Sequence, residues 1–214
     1  MPTDISNLKK VYRTAITSEQ FPEFIELNFG NVMKKYSLVE WKDNDENIFP
    51  MRYGTNPNQP CAFYKEVGNE NTPIGSLKFL KMGKGGPSLT NLQDINQAQQ
   101  ILKYFSQPAV AIMKHLNPSG VAVQQKQNIS LKELFRQARD CDARSAFGGV
   151  IVCNSNVNAE TADEIMKSFF EVVAAPSFDD EAIKVLLDAK RYGMNKDIRL
   201  RSEEHTSELQ SPYV

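Results

Sequence analysis

An α/β architecture, a mainly parallel sheet with helices on both faces, follows from the pattern of this 214-residue chain. From a helix that opens at Ser130, the segments "GGVIVCN", "AETADEIMKSF", "EVVAAP", "DDEAIKVLLDAK" and "DIRL" alternate strand with helix. Such alternation needs crossover connections, which place neighbouring strands parallel. The runs "VIVC" and "VVAA" are apolar on successive residues, so both of their faces must be covered by helices.

The elements follow in order. Residues 1–50 predict a small N-terminal module, a helix over about 5–18 and then the strands "FIELNF" and "KKYSLVEW", joined through "GN" as in a hairpin. Residues 51–200 predict the main domain. "CAFYKEV" and "SLKFLKM" read as strands around a polar Gly/Asn/Pro loop. "LTNLQDINQAQQILKYF" is helical, with Leu92, Ile95, Ala98, Ile101 and Leu102 on one stripe. "AVAIM" is a short apolar strand, ended by an Asn-Pro turn. Ser130 and Glu133 form a capping box for the next helix. Residues 201–214 are polar and without period, which predicts a disordered tail. The string "RSEEHTSELQS" also resembles one reading frame of a sequencing-library adapter, and on that reading the tail is an artefact and the natural chain is cut short.

Charge excludes some partners. The chain carries 25 Lys+Arg against 26 Asp+Glu, spread without a basic stripe, so no electrostatic footprint for nucleic acid or a membrane surface is present. Without an apolar run of spanning length or a secretory leader, the expected location is cytoplasmic. Cys61, Cys141 and Cys153 are odd in number and far apart, which suits reduced thiols, and none has metal-ligand spacing.

Four stretches can carry chemistry. In "AVAIMKHLNPSG", Lys114 and His115 stand side by side at a strand end. Ligands of open parallel sheets bind beyond the carboxyl ends of strands, which makes the pair a candidate site. Successive strand residues point to opposite faces, so the two share a site only if the strand has stopped by His115. The opposing reading is a hydrogen-bonded core histidine beside a solvated lysine. In "MRYGTNPNQP", Arg52 offers a planar fork of donors for a phosphate and Tyr53 a ring for stacking, unless the stretch is only a turn with a surface arginine. "KMGKGGPS" lacks the spacer and the Lys-Ser/Thr ending of a phosphate loop and reads as a flexible loop. Gly148 and Gly149 in "RSAFGGV" serve either close approach to a ligand or packing.

Taken together, "MRYGTNPNQ", "KMGKGGPSLTNLQD", "VAIMKHLNPSGVAV", "SAFGGVIV" and "FFEVVAAPSF" resemble, in order and spacing, the AICAR transformylase family, the phosphoribosylaminoimidazolecarboxamide formyltransferases of purine synthesis. The resemblance spans residues 51–178. It implies a cytidine deaminase-like subdomain within a homodimer, and formyl transfer from the co-substrate 10-formyltetrahydrofolate to the amine of AICAR, giving FAICAR on the route to IMP. It makes His115 the catalytic base and Lys114 the stabilising cation, and it assigns AICAR contacts to Arg52, Tyr53, Asn91, His115, Gly148 and Glu171. The chemistry is coherent. The AICAR amine is a poor nucleophile, so a base must take its proton as attack proceeds. An adjacent ammonium disfavours the imidazolium, keeping the base form available, and can stabilise the oxyanion on the formyl group. Asn58 departs from the histidine found there in many members. With residues 1–50 ahead of the RYG motif, the chain resembles the monofunctional type, a truncated copy not expected to turn over alone. Two other readings compete. A zinc deaminase needs a Pro-Cys-x-x-Cys pair, which "PCAF" at Cys61 does not supply. A small nucleotide-binding or interaction module without catalysis remains as the alternative.

Overall fold

In the computed structural model, residues 21–203 are described, apart from 44–45, 57–58, 70–73, 75–76, 84 and 126–128. The helix expected over 5–18, Asn58 and the tail from residue 204 lie outside the described residues. Among the described residues eleven strands form three sheets. β1 (Phe24–Phe29) and β2 (Val32–Leu38) are the expected hairpin, with Gly30 at φ 68° in the turn. β5 (Tyr64–Glu66) joins them as a third strand along β2. The module expected over 1–50 therefore shares its sheet with a strand beyond residue 50. β3 (Trp41–Lys42) and β4 (Ile48–Phe49) pair with each other, and Trp41 is buried edge-on against Phe79. A core of Trp41, Met51, Leu77, Phe79, Met82 and Leu92 ties this region to the main domain.

The main sheet has the order β6-β11-β10-β9-β7-β8. Its strands are β6 (Leu77–Lys81), β7 (Ala109–Lys114), β8 (Asn117–Val123), β9 (Val150–Cys153), β10 (Val172–Ala175) and β11 (Arg199–Glu203). β9, β10 and β11 are parallel neighbours, as the alternation requires. β6 runs against β11, and β7 runs against both β9 and β8, so β8 to β11 share one direction while β6 and β7 oppose it. β8 is a return strand in a stretch that reads as a turn. β11 passes through Arg201, which is buried, so the sheet crosses the 200/201 boundary expected from composition.

Helices cover both faces. On one, α1 (Leu89–Leu102) packs Ile95, Ala98 and Leu102 on Ala109, Ala111, Met113, Val150, Val152, Val172 and Ala174. On the other, α2 (Leu131–Cys141), α4 (Ala159–Ile165) and α5 (Asp180–Leu187) pack on the residues between them: Val110, Ile112, Ile151, Cys153, Val173 and Ala175. The period of two in strand side chains sorts each run onto two cores. A single turn, α3 (Ala143–Ala146), leads into β9. The full capping box stands at α1: Ser88 Oγ accepts the Asn91 N–H at 3.2 Å, and Asn91 Oδ1 accepts the Ser88 N–H at 3.3 Å. At α2 the Ser130 half forms, while the Glu133 carboxylate turns to Arg136.

Glu164 on α4 bridges helices, accepting from Lys167 Nζ at 2.9 Å and Arg139 Nη1 at 3.1 Å. The Lys167 bond first, then the Arg139 bond, hold its carboxyl below the ordinary value. A depressed carboxyl stabilises the fold above its unfolded value of 4.5, and that contribution is lost as pH falls through the folded value. Glu164→Gln is thus expected to lower the thermal midpoint at pH 7, by a margin that shrinks as pH falls below 4.5 and through the lowered folded value, read by circular dichroism.

Candidate functional site

β7 ends at Lys114, so the strand has stopped by His115. The turn itself is His115-Leu116, not Asn117-Pro118, which open β8. Extended geometry at the residue before a proline suits a strand start. His115 and Leu116 stand at φ 53° and 67°, the pair of positive values that a type I′ hairpin turn requires. For side chains other than glycine this left-handed backbone costs roughly 1–2 kcal/mol per residue. Asp94 on α1 offsets it: Oδ2 accepts the His115 N–H at 3.2 Å and Oδ1 the Leu116 N–H at 2.6 Å. Asp94 is 5% exposed, and burial pushes its carboxyl above the ordinary range against the pull of those two N–H groups. His115 is exposed, which sets aside the core-histidine reading.

Lys114 turns toward the loop before β9, where Nζ donates to the Phe147 carbonyl at 2.7 Å. Gly148 follows at φ 73°, its N–H bonded to the Phe169 carbonyl at 2.8 Å. A Cβ there would lie 3.4 Å from the Phe169 ring and 4.0 Å from Lys114 Nζ. Gly149 answers the packing alternative, since a Cβ would meet the Met113 carbonyl at 2.7 Å.

Beside this loop lies a cavity of about 160 Å³ lined by Arg52, Phe169, Glu171, Met194, Asp197 and Arg199. Glu171 precedes β10 and accepts from Asn91 Nδ2 at 2.9 Å. Asn91 thus caps its own helix with its oxygen and holds Glu171 with its nitrogen. Arg199 opens β11 and is almost fully buried; burial first, then the charge of Arg52, hold its guanidinium below the ordinary value. Arg52 lies over the Tyr53 ring, 5.0 Å from its centroid. The segment around them is pinned: the Arg52 N–H bonds to the Pro87 carbonyl at 2.9 Å, and the Leu89 N–H to the Tyr53 carbonyl at 3.0 Å. Two glycines of the "KMGKGGPS" loop rest directly on other backbone. A Cβ on Gly83 would lie 2.3 Å from the Asp197 carbonyl, and one on Gly86 1.8 Å from that of Pro50.

Of the expected residues, Arg52 and Glu171 line the cavity together. Asn91 reaches it through Glu171, Tyr53 through Arg52, Gly148 through Phe169, and Lys114 through Phe147, whose ring packs on that of Phe169; the His115 backbone is joined through Asp94, one turn along α1 from Asn91. All stand at one edge of the main sheet, but not the edge expected. Because β7 opposes β9, β10 and β11, its carboxyl end lies beside their amino ends. Gly148, Glu171 and Arg199 accordingly sit where parallel strands begin. The sequence reading missed Asp94, Asp197 and Arg199. Arg199 left a signal, a charge inside the strand pattern "DIRL"; Asp94 left a weaker one, a carboxylate next to an apolar helix stripe.

Along most of its length the chain matches a known family. The model of the AICARFT/IMPCHase bienzyme family matches residues 10–210. A bifunctional purine biosynthesis protein PurH of Oceanobacillus iheyensis is 34% identical over 92% of this chain and 33% of its own length. The PurH proteins of Sorangium cellulosum and Acetivibrio thermocellus are 40% and 35% identical over 68% and 86% of this chain, and 27% and 31% of theirs. The chain spans about a third of the length of these relatives. No described helix is long and apolar enough to cross a membrane, and no group of metal-ligating side chains occurs among the described residues. With a family match over residues 10–210 and relatives 34% and 35% identical over 92% and 86% of it, the chain belongs to the AICARFT/IMPCHase bienzyme family.

Proposed function

We propose that this chain carries the AICAR side of a formyltransferase site in purine biosynthesis, with 10-formyltetrahydrofolate as co-substrate. The observation that supports it is the meeting of Arg52 and Glu171 in one cavity at the sheet edge that also bears Lys114 and His115. In this reading the Arg52 guanidinium takes the phosphate and Glu171 accepts from the ligand's N–H or hydroxyl groups. The AICAR amine attacks the formyl carbon, neutral His115 takes the proton released from the amine, and Lys114 stabilises the carbonyl oxygen as it gains charge. The folate nitrogen then leaves with a proton, and FAICAR remains. Turnover, the folate contacts, the homodimer and the cytoplasmic location belong to the proposal, and the chain alone is expected to bind AICAR without turning it over.

Calorimetric titration of the purified chain with AICAR tests this. Saturable binding is expected; no heat and no competition by FAICAR would overturn it. Asn91→Asp replaces the amide donor by a second carboxylate facing Glu171. Losing a hydrogen bond to a charged group costs about 1.5–3 kcal/mol, so AICAR affinity should fall about tenfold or more. An unchanged affinity would remove Glu171 from the binding site.

A further inference from the structure

We propose that Asp94 is a positioning residue for His115: its carboxylate clamps the His115-Leu116 turn and thereby fixes where the imidazole stands. This rests on the reading that His115 acts in formyl transfer, but the clamp itself is a matter of geometry.

Two adjacent residues with side chains occupy left-handed backbone, where glycine or asparagine would normally stand. Such a turn persists only where its surroundings over-determine it. Here each oxygen of one carboxylate takes one turn N–H, at 3.2 and 2.6 Å. The clamp stands on a rigid support. α1 is held at its start by the Ser88-Asn91 box and along its length by Ile95 and Ala98 in the core. The same helix reaches Glu171 through Asn91, so one element sets the spacing between the histidine and the cavity. A turn built for stability alone would place glycine at 115 or 116. The chain keeps His115 and Leu116 and buries a carboxylate instead, which is the arrangement expected when the imidazole's place matters.

The test is NMR on the full 214-residue chain. His115 and His205 are its two histidines, so substituting His205 assigns the imidazole signals. Asp94→Ala is expected to speed exchange of the His115 and Leu116 amides at least tenfold and to shift the His115 imidazole peaks, with β9 and β10 amides unchanged. Adding Leu116→Gly should return the imidazole peaks toward wild type, because glycine restores the turn without the carboxylate. If Asp94→Ala does not fold, Asp94→Asn is read the same way, with loss expected at one of the two amides, since one acceptor survives. Wild-type exchange and wild-type imidazole peaks in the folded variant would overturn the clamp. AICAR titration of the wild-type chain is scored separately: failure to bind sinks the functional reading while the amides still decide the clamp.

Discussion

His115→Ala is expected to cut formyl transfer by about 10²–10⁴-fold, the usual contribution of a positioned base. The measurement uses residues 51–178 of this chain grafted in place of the matching segment of the Oceanobacillus iheyensis relative. Lys114→Ala should cost about 10²–10³-fold, the range found when one stabilising group at a developing oxyanion is removed. Both losses should fall on kcat more than on KM, because each group acts as charge and protons move and not only when AICAR binds. Folding should be nearly untouched. His115 is exposed, and its backbone geometry comes from Asp94 rather than from its ring. Lys114 gives up one solvent-exposed bond to the Phe147 carbonyl, where water can replace the lost partner, so the cost stays below the roughly 1.5–3 kcal/mol of bonds to charged groups. A folded graft that turns over at its unsubstituted rate after either change would end the assignment.

Much of the fold was legible because it is written locally. The α1 stripe and the runs at β9 and β10 declare their periods within a dozen residues. So did the strand end at Lys114, through the change from apolar to polar. What escaped was written in pairs distant along the chain. β8 hides in "NPSGVAV" because its proline and glycine resemble a loop; the register shift between Ile112 and Met113 and the closeness of Gly120 to the Ala138 carbonyl make room for both. Once β8 was unseen, the direction of β7 could not be read, and the site was expected at the carboxyl ends of parallel strands. Asp94 and Arg199 escaped for a related reason: their partners lie 21 residues or more away, at His115, Arg52 and Glu171. The resemblance assigns AICAR contacts to Arg52, Asn91 and Glu171, and the fold joins two of these by a hydrogen bond across 80 residues, from Asn91 to Glu171.

The largest effect on stability is expected from Gly86→Ala. A Cβ at 86 would lie 1.8 Å from the Pro50 carbonyl oxygen and 2.9 Å from its carbon, both backbone atoms that no rotamer change can move aside. The two segments must separate. The bonds that would open are those from the Arg52 N–H to the Pro87 carbonyl and from the Leu89 N–H to the Tyr53 carbonyl, flanking the contact. Overpacking costs about 1–3 kcal/mol where side chains can yield, so a clash of backbone with Cβ should reach about 3 kcal/mol. For a chain of this length that corresponds to a fall in the thermal midpoint of about 6–12 °C. Gly193→Ala is the control, because a Cβ there has nothing within 4 Å, and it should stay within about 0.5 kcal/mol of wild type. The same displacement carries Arg52 away from Arg199 and Glu171, so AICAR affinity should fall at temperatures where Gly86→Ala remains folded. A Gly86→Ala chain with a wild-type midpoint would mean that the RYG segment does not rest on the glycine loop, and Arg52 would lose its place in the cavity.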